Sequence, residues 1–108
     1  MRTPAEEPRD LPAAGLDRLL HEPARLVIAT LLYAVDSADF LFLLRESGLS
    51  KGNLSSHLAK LEAAGHVAIE KTFRGKIPLT ICRLTDGGRE ALRRYREQLK
   101  RVVDTLPE

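Results

Sequence analysis

The sequence predicts a mainly α fold with one small β-hairpin, an α+β fold class. Apolar residues recur at helical spacing through most of the chain, and one pair of alternating apolar segments, 67–73 and 77–84, flanks a glycine turn. With 108 residues there is room for a single domain, expected over 13–108. Three Phe, two Tyr and no Trp leave a core built mainly of Leu, Ala, Val and Ile.

The N-terminal end divides into an arm and a short apolar segment. Residues 1–12 hold three of the six prolines, which predicts a flexible N-terminal arm. Leu16, Leu19 and Leu20 follow at helical spacing and predict a short helix over 13–21.

Two further helices are expected next. Pro23 suits the first turn of a helix over 24–34, and apolar residues nearly all round that helix predict a central, buried element. Asp36 or Ser37 is a suitable N-cap for the following helix. Gly48 ends that helix where a left-handed residue is wanted.

A third helix is expected from about 51 to 64, with Ser50 as its N-cap. Two short helices joined by a turn that contains glycine form a helix-turn-helix unit. Leu54, Leu58 and Leu61 share one side of this third helix.

The opposite side of the third helix is small and polar. Small residues permit close approach to the floor of a DNA groove, and Asn, Ser and Lys side chains bond to base edges and phosphates. An ordinary solvent face is the alternative interpretation. Such a face usually carries long Glu/Lys pairs, however, and Gly52 with two serines is a poor choice for helix stability.

A basic hairpin follows the third helix directly. This order is the layout of a winged helix-turn-helix, in which the helix enters the DNA major groove and the hairpin reaches the flanking backbone or minor groove. A plain basic turn is the alternative for the hairpin alone. The candidate DNA-binding residues are Ser50, Lys51, Gly52, Asn53, Ser55, Ser56, Lys60, Lys71, Arg74, Gly75 and Lys76.

The charge distribution is uneven although the formal net charge is only +2. Residues 1–50 carry five Lys/Arg against eight Asp/Glu, a net of −3. Residues 51–76 carry five against two, a net of +3, and residues 77–101 seven against three, a net of +4. Positive charge therefore collects on the third helix, the hairpin and the last helix, as DNA binding or a solvated basic face would require.

The last helix is expected over 85–106, capped by Thr85, with a heptad-like apolar seam. Such a seam can pack on its own domain, but the helix reaches beyond what a compact core covers. We therefore expect a C-terminal dimerisation helix and a homodimer. The candidate interface residues are Leu16, Leu19, Leu20, Leu92, Tyr95, Leu99, Val102 and Leu106.

Two stretches carry a family resemblance. GNLSSHLAKLEAAGHVAIEKTFRGKIPLT and RLTDGGREAL resemble the small single-domain winged-helix transcriptional regulators of bacteria and archaea, which are related to MarR-like and ArsR-like repressors. The resemblance covers roughly residues 16–100. It implies a dimer whose recognition helices meet successive major grooves, with the wings on flanking DNA. A small-molecule effector stays an open alternative that no residue specifies.

Other chemistry finds little support in the sequence. Cys82 is the only cysteine, so neither an internal disulfide nor a cysteine zinc site is expected. The spacing of His21, His57 and His66 matches no common metal-ligand pattern, and we expect His57 to be a half-buried hydrogen-bonding residue. No cofactor or enzymatic activity is expected. Without a signal peptide or a long apolar run, a cytoplasmic location without membrane contact is expected.

The sequence thus predicts a sequence-specific regulator that binds double-stranded DNA, and specifically a dimeric repressor. The alternative is a winged-helix protein–protein interaction module without specific DNA binding. A docking face for a protein partner should present exposed aromatic or aliphatic anchors, and the third helix offers none on its polar side.

Overall fold

A computed structural model describes residues 15–108, so the predicted arm over 1–12 lies outside it. The described chain has four helices and a three-stranded antiparallel sheet of order β1-β3-β2, which confirms the predicted α+β winged-helix fold. The elements are α1 (Pro23–Tyr33), β1 (Ala38–Asp39), α2 (Phe40–Ser47), α3 (Lys51–Ala63), β2 (Val67–Arg74), β3 (Ile77–Leu84) and α4 (Asp86–Thr105).

The described part of the helix predicted over 13–21 is a turn, so that prediction was wrong. The carboxylate of Asp17 accepts hydrogen bonds from the backbone N–H groups of Leu19 and Leu20, at 2.9 and 3.2 Å. The residue before Pro23 is extended (φ −136°, ψ 126°), as proline requires of its predecessor. The leucine spacing arises because Leu20 is buried in the core, with Leu19 packed against it.

Helix α1 begins at Pro23, and the carboxylate of Glu22 caps it by accepting from the backbone N–H of Arg25 at 2.8 Å. The helix is less central than expected. Its buried residues are Ile28, Ala29 and Leu32, whereas Val27 is exposed. Helix α1 therefore supplies one wall of the core and leaves an apolar flank uncovered.

The start of α2 corrects a second expectation. Its N-cap is Asp39, whose carboxylate accepts from the backbone N–H of Phe42 at 2.7 Å. Asp36 and Ser37 lie in the connection before it. Ala38–Asp39 also forms strand β1, which pairs with β3. Two residues are too few to produce an alternating pattern, so this strand could not be predicted from the sequence.

The start of α4 is fixed against the turn between α3 and β2. Thr85 caps α4 as predicted, and its hydroxyl also donates to the carbonyl of Gly65 at 2.6 Å. Gly88 lies directly over His66, so that a Cβ built on Gly88 would come within 2.0 Å of the His66 carbonyl oxygen. Only glycine allows this approach of two backbones.

We expect Gly88→Ala to lower the free energy of unfolding by roughly 3 kcal/mol, because the added methyl must displace a backbone carbonyl. Gly87→Ala is the matched control, since its Cβ meets its nearest atom at 3.7 Å. That change should leave stability equal or raise it by up to about 1 kcal/mol. Urea unfolding followed by circular dichroism measures both, and equal stability of the two variants would contradict the packing.

Candidate nucleic-acid interface

Helix α3 is held in the domain by one apolar side. Leu54, Leu58 and Leu61 are at most 2% exposed, as their spacing predicted. The hydroxyl of Ser50 caps the helix by accepting from the backbone N–H of Asn53 at 3.2 Å. Gly48, in the left-handed region at φ 71°, ends α2 and sets the direction of the connection into α3. Helices α2 and α3 with this short turn form the predicted helix-turn-helix.

A polar cluster adds a second attachment between α3 and α1. The Nδ1 atom of His57 lies 3.2 Å from an Nη atom of Arg25 and 3.7 Å from the Glu22 carboxylate. A guanidinium only donates, so Nδ1 of a neutral His57 accepts this hydrogen bond. Arg25 also donates to the carbonyl of Leu19 at 2.6 Å. The prediction of a half-buried hydrogen-bonding His57 is confirmed.

The Glu22 carboxyl of this cluster has a pKa below its usual value. The backbone N–H of Arg25 is the largest cause, and the backbone N–H of Ala24 and the charge of Arg25 act in the same direction against desolvation. The helix cap is therefore an anion beside the guanidinium.

Every candidate DNA-binding residue of α3 and the hairpin is exposed to solvent. Within residues 15–108, no carboxylate lies within 4.0 Å of the candidate cations on this surface. These cations are Lys51, Lys60, Lys71, Arg74 and Lys76. The candidate residues are thus accessible to solvent, and their cations have no acidic partner within the described chain.

The hairpin ends in a two-residue turn. Strands β2 and β3 pair in continuous register from Val67 opposite Leu84 to Arg74 opposite Ile77. Gly75 and Lys76 therefore form the turn, and Arg74 is the last residue of β2 rather than part of the tip. Gly75 has φ +63° while Lys76 has negative φ, the pattern of a type II′ turn that matches the strand twist.

A groove of about 670 Å³ runs between α3 and the hairpin. Ser55 and Ala59 line it from the helix, and Lys71 and Thr80 line it from the sheet. Glu62 is the acidic residue of its wall. The helix and the hairpin therefore form one concave surface.

Two residues predicted at the dimer interface belong to the core instead. Leu20 and Tyr95 are buried within the single chain, and the Tyr95 hydroxyl lies 2.7 Å from Nδ1 of His21. Burial is also the main cause that raises the pKa of Tyr95. The remaining candidates keep some exposure: Leu16, Leu19, Leu92, Leu99, Val102 and Leu106.

Sequence reasoning missed two exposed apolar residues beside these sites. Val103 on α4 is 55% exposed, and Phe73 on β2 is 68% exposed. Strand alternation from Lys71 places Phe73 on the same face as that lysine, and this signal was available in the sequence.

The described residues offer little for metal or thiol chemistry. Between 15 and 108, no group of three His, Cys, Asp or Glu side chains is placed to hold a metal ion. Cys82 is buried in β3, and burial, then the charges of Glu62 and Asp39, raise the pKa of its thiol to about 11. Over the same residues, no helix combines the length and apolar character needed to cross a membrane.

The anchored helix, its open polar side and the adjoining basic hairpin define a DNA-binding protein of the winged-helix class. Residues 24–103 match the winged helix DNA-binding domain family, and the chain belongs to that family. It is 34% identical over 79 residues to an uncharacterized protein of Methanocaldococcus jannaschii, across 72% of this chain and 85% of that relative.

Solved structures agree with this assignment. The transcriptional regulator homologue of Pyrococcus horikoshii OT3 superposes with a TM-score of 0.79 at 34% identity, over 85% of this chain and 91% of that one. PcaV of Streptomyces coelicolor, in complex with its natural ligand, superposes with a TM-score of 0.68 at 19% identity, over 87% of this chain and 65% of that one. NadR in complex with 4-hydroxyphenylacetate superposes with a TM-score of 0.63 at 22% identity, over 80% of this chain and 63% of that one. PcaV and NadR thus share the fold of this chain. In class, the chain is a DNA-binding transcriptional regulator.

We expect Cys82 to resist thiol reagents in the folded protein. With a pKa of about 11, about one thiol in a thousand is ionised at pH 8, and the sulfur is covered by the core. Labelling by a chromogenic disulfide at pH 8 should therefore rise only where urea unfolds the chain. Rapid labelling without urea would contradict the burial.

Proposed function

We propose that this regulator acts as a homodimer that binds specific duplex DNA sequences and represses transcription by occupying sites that polymerase needs. The observation that carries the proposal is the small, polar outer side of α3, exposed beside a basic hairpin. Small side chains let the helix backbone approach the base edges, and the hairpin cations neutralise flanking phosphates. We assign it no catalytic role, and place it in the cytoplasm with its DNA.

The contacts divide by position on this surface. Asn53 and Ser56, exposed on the first turns of α3, supply donors and acceptors for base edges in the major groove. Lys51 lies at the helix N-terminus, where free backbone N–H groups also favour a phosphate. Arg74 and Lys76, at the end of the hairpin, bind the flanking backbone.

A protein-docking role for the same face has less support. Hot spots of protein interfaces centre on buried aromatic or aliphatic anchors. The exposed positions of α3 are polar, charged, glycine or alanine. This composition favours a groove of DNA over an apolar protein pocket.

The dimer proposal rests on the far end of α4. This helix has 20 residues, about 30 Å of length, in a chain that measures 64 Å along its longest axis and 24 Å across. Val103 and Leu106 near its end are 55% and 60% exposed. Their spacing continues the seam of Leu92 and Leu99, so a second copy of α4 is the partner that would cover the whole stripe.

A small-molecule effector is the second candidate for the same region. A cavity of about 440 Å³ lies between α1 and α4, lined by Leu26, Tyr33, Leu92 and Leu99 with the stems of two arginines. Volumes of this order hold small ligands. NadR and PcaV were solved with ligands bound. Because the exposed seam continues from this cavity, we favour coverage by the second copy.

We expect Ser56→Glu to abolish specific binding, because a carboxylate on the outer side of α3 repels the phosphates and fills space beside the bases. Wild-type protein first selects duplexes from a random pool at fixed salt. Gel-shift titration on the selected duplex then compares wild type, Ser56→Glu and the control Ser37→Glu. The control adds the same charge just before β1, which β3 separates from β2 of the hairpin. Undiminished affinity of Ser56→Glu would refute the assignment of α3.

We expect Val103→Glu to convert the dimer into a monomer, because a carboxylate in an apolar seam loses hydration without gaining a partner. Analytical ultracentrifugation at several concentrations measures the mass. Arg101→Glu, on the opposite side of α4, is the matched control and should leave the dimer intact. Equal masses for wild type and Val103→Glu would count against this interface.

A further inference from the structure

The hairpin carries large apolar side chains where a polar surface is expected. Phe73 and Ile77, at the ends of β2 and β3, are 68% and 67% exposed. They are adjacent to the turn, far from the buried base of the hairpin, where Val67 pairs with Leu84. Neither side chain contributes to the core cluster of the described chain. Any role of their apolar surface therefore lies in contact with another molecule.

The two residues point to opposite faces of the hairpin. Phe73 pairs with Pro78, and Lys71 pairs with Thr80, two positions closer to the base. Because side chains two positions apart share a face of a strand, Phe73 and Pro78 lie on the face of Lys71 and Thr80. That face borders the groove shared with Ser55 of α3. Phe73 therefore lies on the recognition-helix side of the hairpin, and Ile77 does not.

Charge identifies the occupant of this face. Lys71 lies on the face of Phe73, and Arg74 and Lys76 follow Phe73 at the end of the strand and in the turn. All three cations are exposed, and no carboxylate of residues 15–108 lies within 4.0 Å of them. An apolar side chain with cations beside it complements a polyanion that offers flat, stackable surfaces between its charges. Duplex DNA has this chemistry, with phosphates at the groove edges and base steps at the floor.

We infer that Phe73, backed by Pro78, is a wedge that enters the minor groove beside the α3 site and partly unstacks one base step. This inference rests on the proposed DNA-binding function and adds a residue and a DNA deformation to it. Insertion of Phe or Pro from the minor groove kinks the duplex toward the major groove, where α3 lies. Flexible pyrimidine–purine steps are the least costly to open, so the wedge also selects sequence at positions that α3 does not reach.

The test compares Phe73→Ala with two hairpin controls on the duplex selected by wild-type protein. Ile77→Ala removes an equally exposed apolar side chain from the opposite face. Lys76→Ala removes a phosphate contact alone. Fluorescence transfer between dyes on the duplex ends reports bending, and 2-aminopurine at the flanking steps reports unstacking. Phe73, Lys76 and Ile77 are all exposed, so thermal melting should show that all three variants fold.

Wild type is expected to bend the duplex by at least about 20° and to brighten 2-aminopurine at one flanking step of each half-site. Phe73→Ala should abolish both signals and weaken binding about tenfold with an unchanged salt slope. Ile77→Ala should match wild type, and Lys76→Ala should keep the bend while the salt slope falls by about one.

Three results would overturn the wedge. Wild-type protein that binds a selected duplex without bending it, or Phe73→Ala that bends it equally, removes the wedge and leaves the DNA-binding proposal standing. A change in the mass of DNA-free protein caused by Phe73→Ala would place Phe73 in a contact between copies. Failure of wild type to select any duplex would instead end the proposed function itself.

Discussion

The burial of three leucines on one side of α3 is the constraint on which the rest of the structure depends. Each buried leucine stabilises the fold by about 2 kcal/mol, a substantial share of the 5–15 kcal/mol typical of a whole domain. Leu54, Leu58 and Leu61 therefore hold α3 without help from its other side. Because no stability is required of that other side, it can carry glycine, serine and asparagine, which are weak helix formers and good neighbours for a DNA groove.

The sequence predicted the elements whose patterns are local. The limits of β3, the caps Ser50 and Thr85, and the left-handed Gly48 are each written within a few residues of the feature they determine. The helix over 13–21 failed for the opposite reason. Its leucines join a core that includes Tyr95 of α4, far along the sequence, and Asp17 satisfies the backbone as a turn.

Part of the candidate site could be predicted from local sequence patterns, and part depends on contacts between residues that are distant in the sequence. The polar side of α3 follows from helical periodicity alone, so its exposure could be predicted. Strand β1 could not, since two residues show no period. The separation of Leu20 and Tyr95 from the exposed seam depends on how the N-terminal segment folds over α4. There the backbone N–H of Asp17 donates to the side-chain oxygen of Gln98 on α4 at 3.0 Å.

Helix α4 connects the parts of the molecule that a dimer must keep in register. Its first turn is fixed to the end of α3 through Gly88 and Thr85. One turn later, Arg89 donates to the carbonyls of Tyr33 and Val35 at 3.1 and 2.9 Å and closes the C-terminal end of α1.

Two independent attachments within the first turns of α4 thus join the helix to α1 and to the base of the hairpin. If two copies pair through the far end of α4, the distance between their α3 helices is then set by covalent geometry and packing. It does not depend on a flexible linker. A fixed distance accepts only half-sites at one spacing, so α4 contributes to the choice of DNA without touching it. In such a dimer, the length and attachment of α4 would add to the selectivity that the outer side of α3 and the hairpin supply.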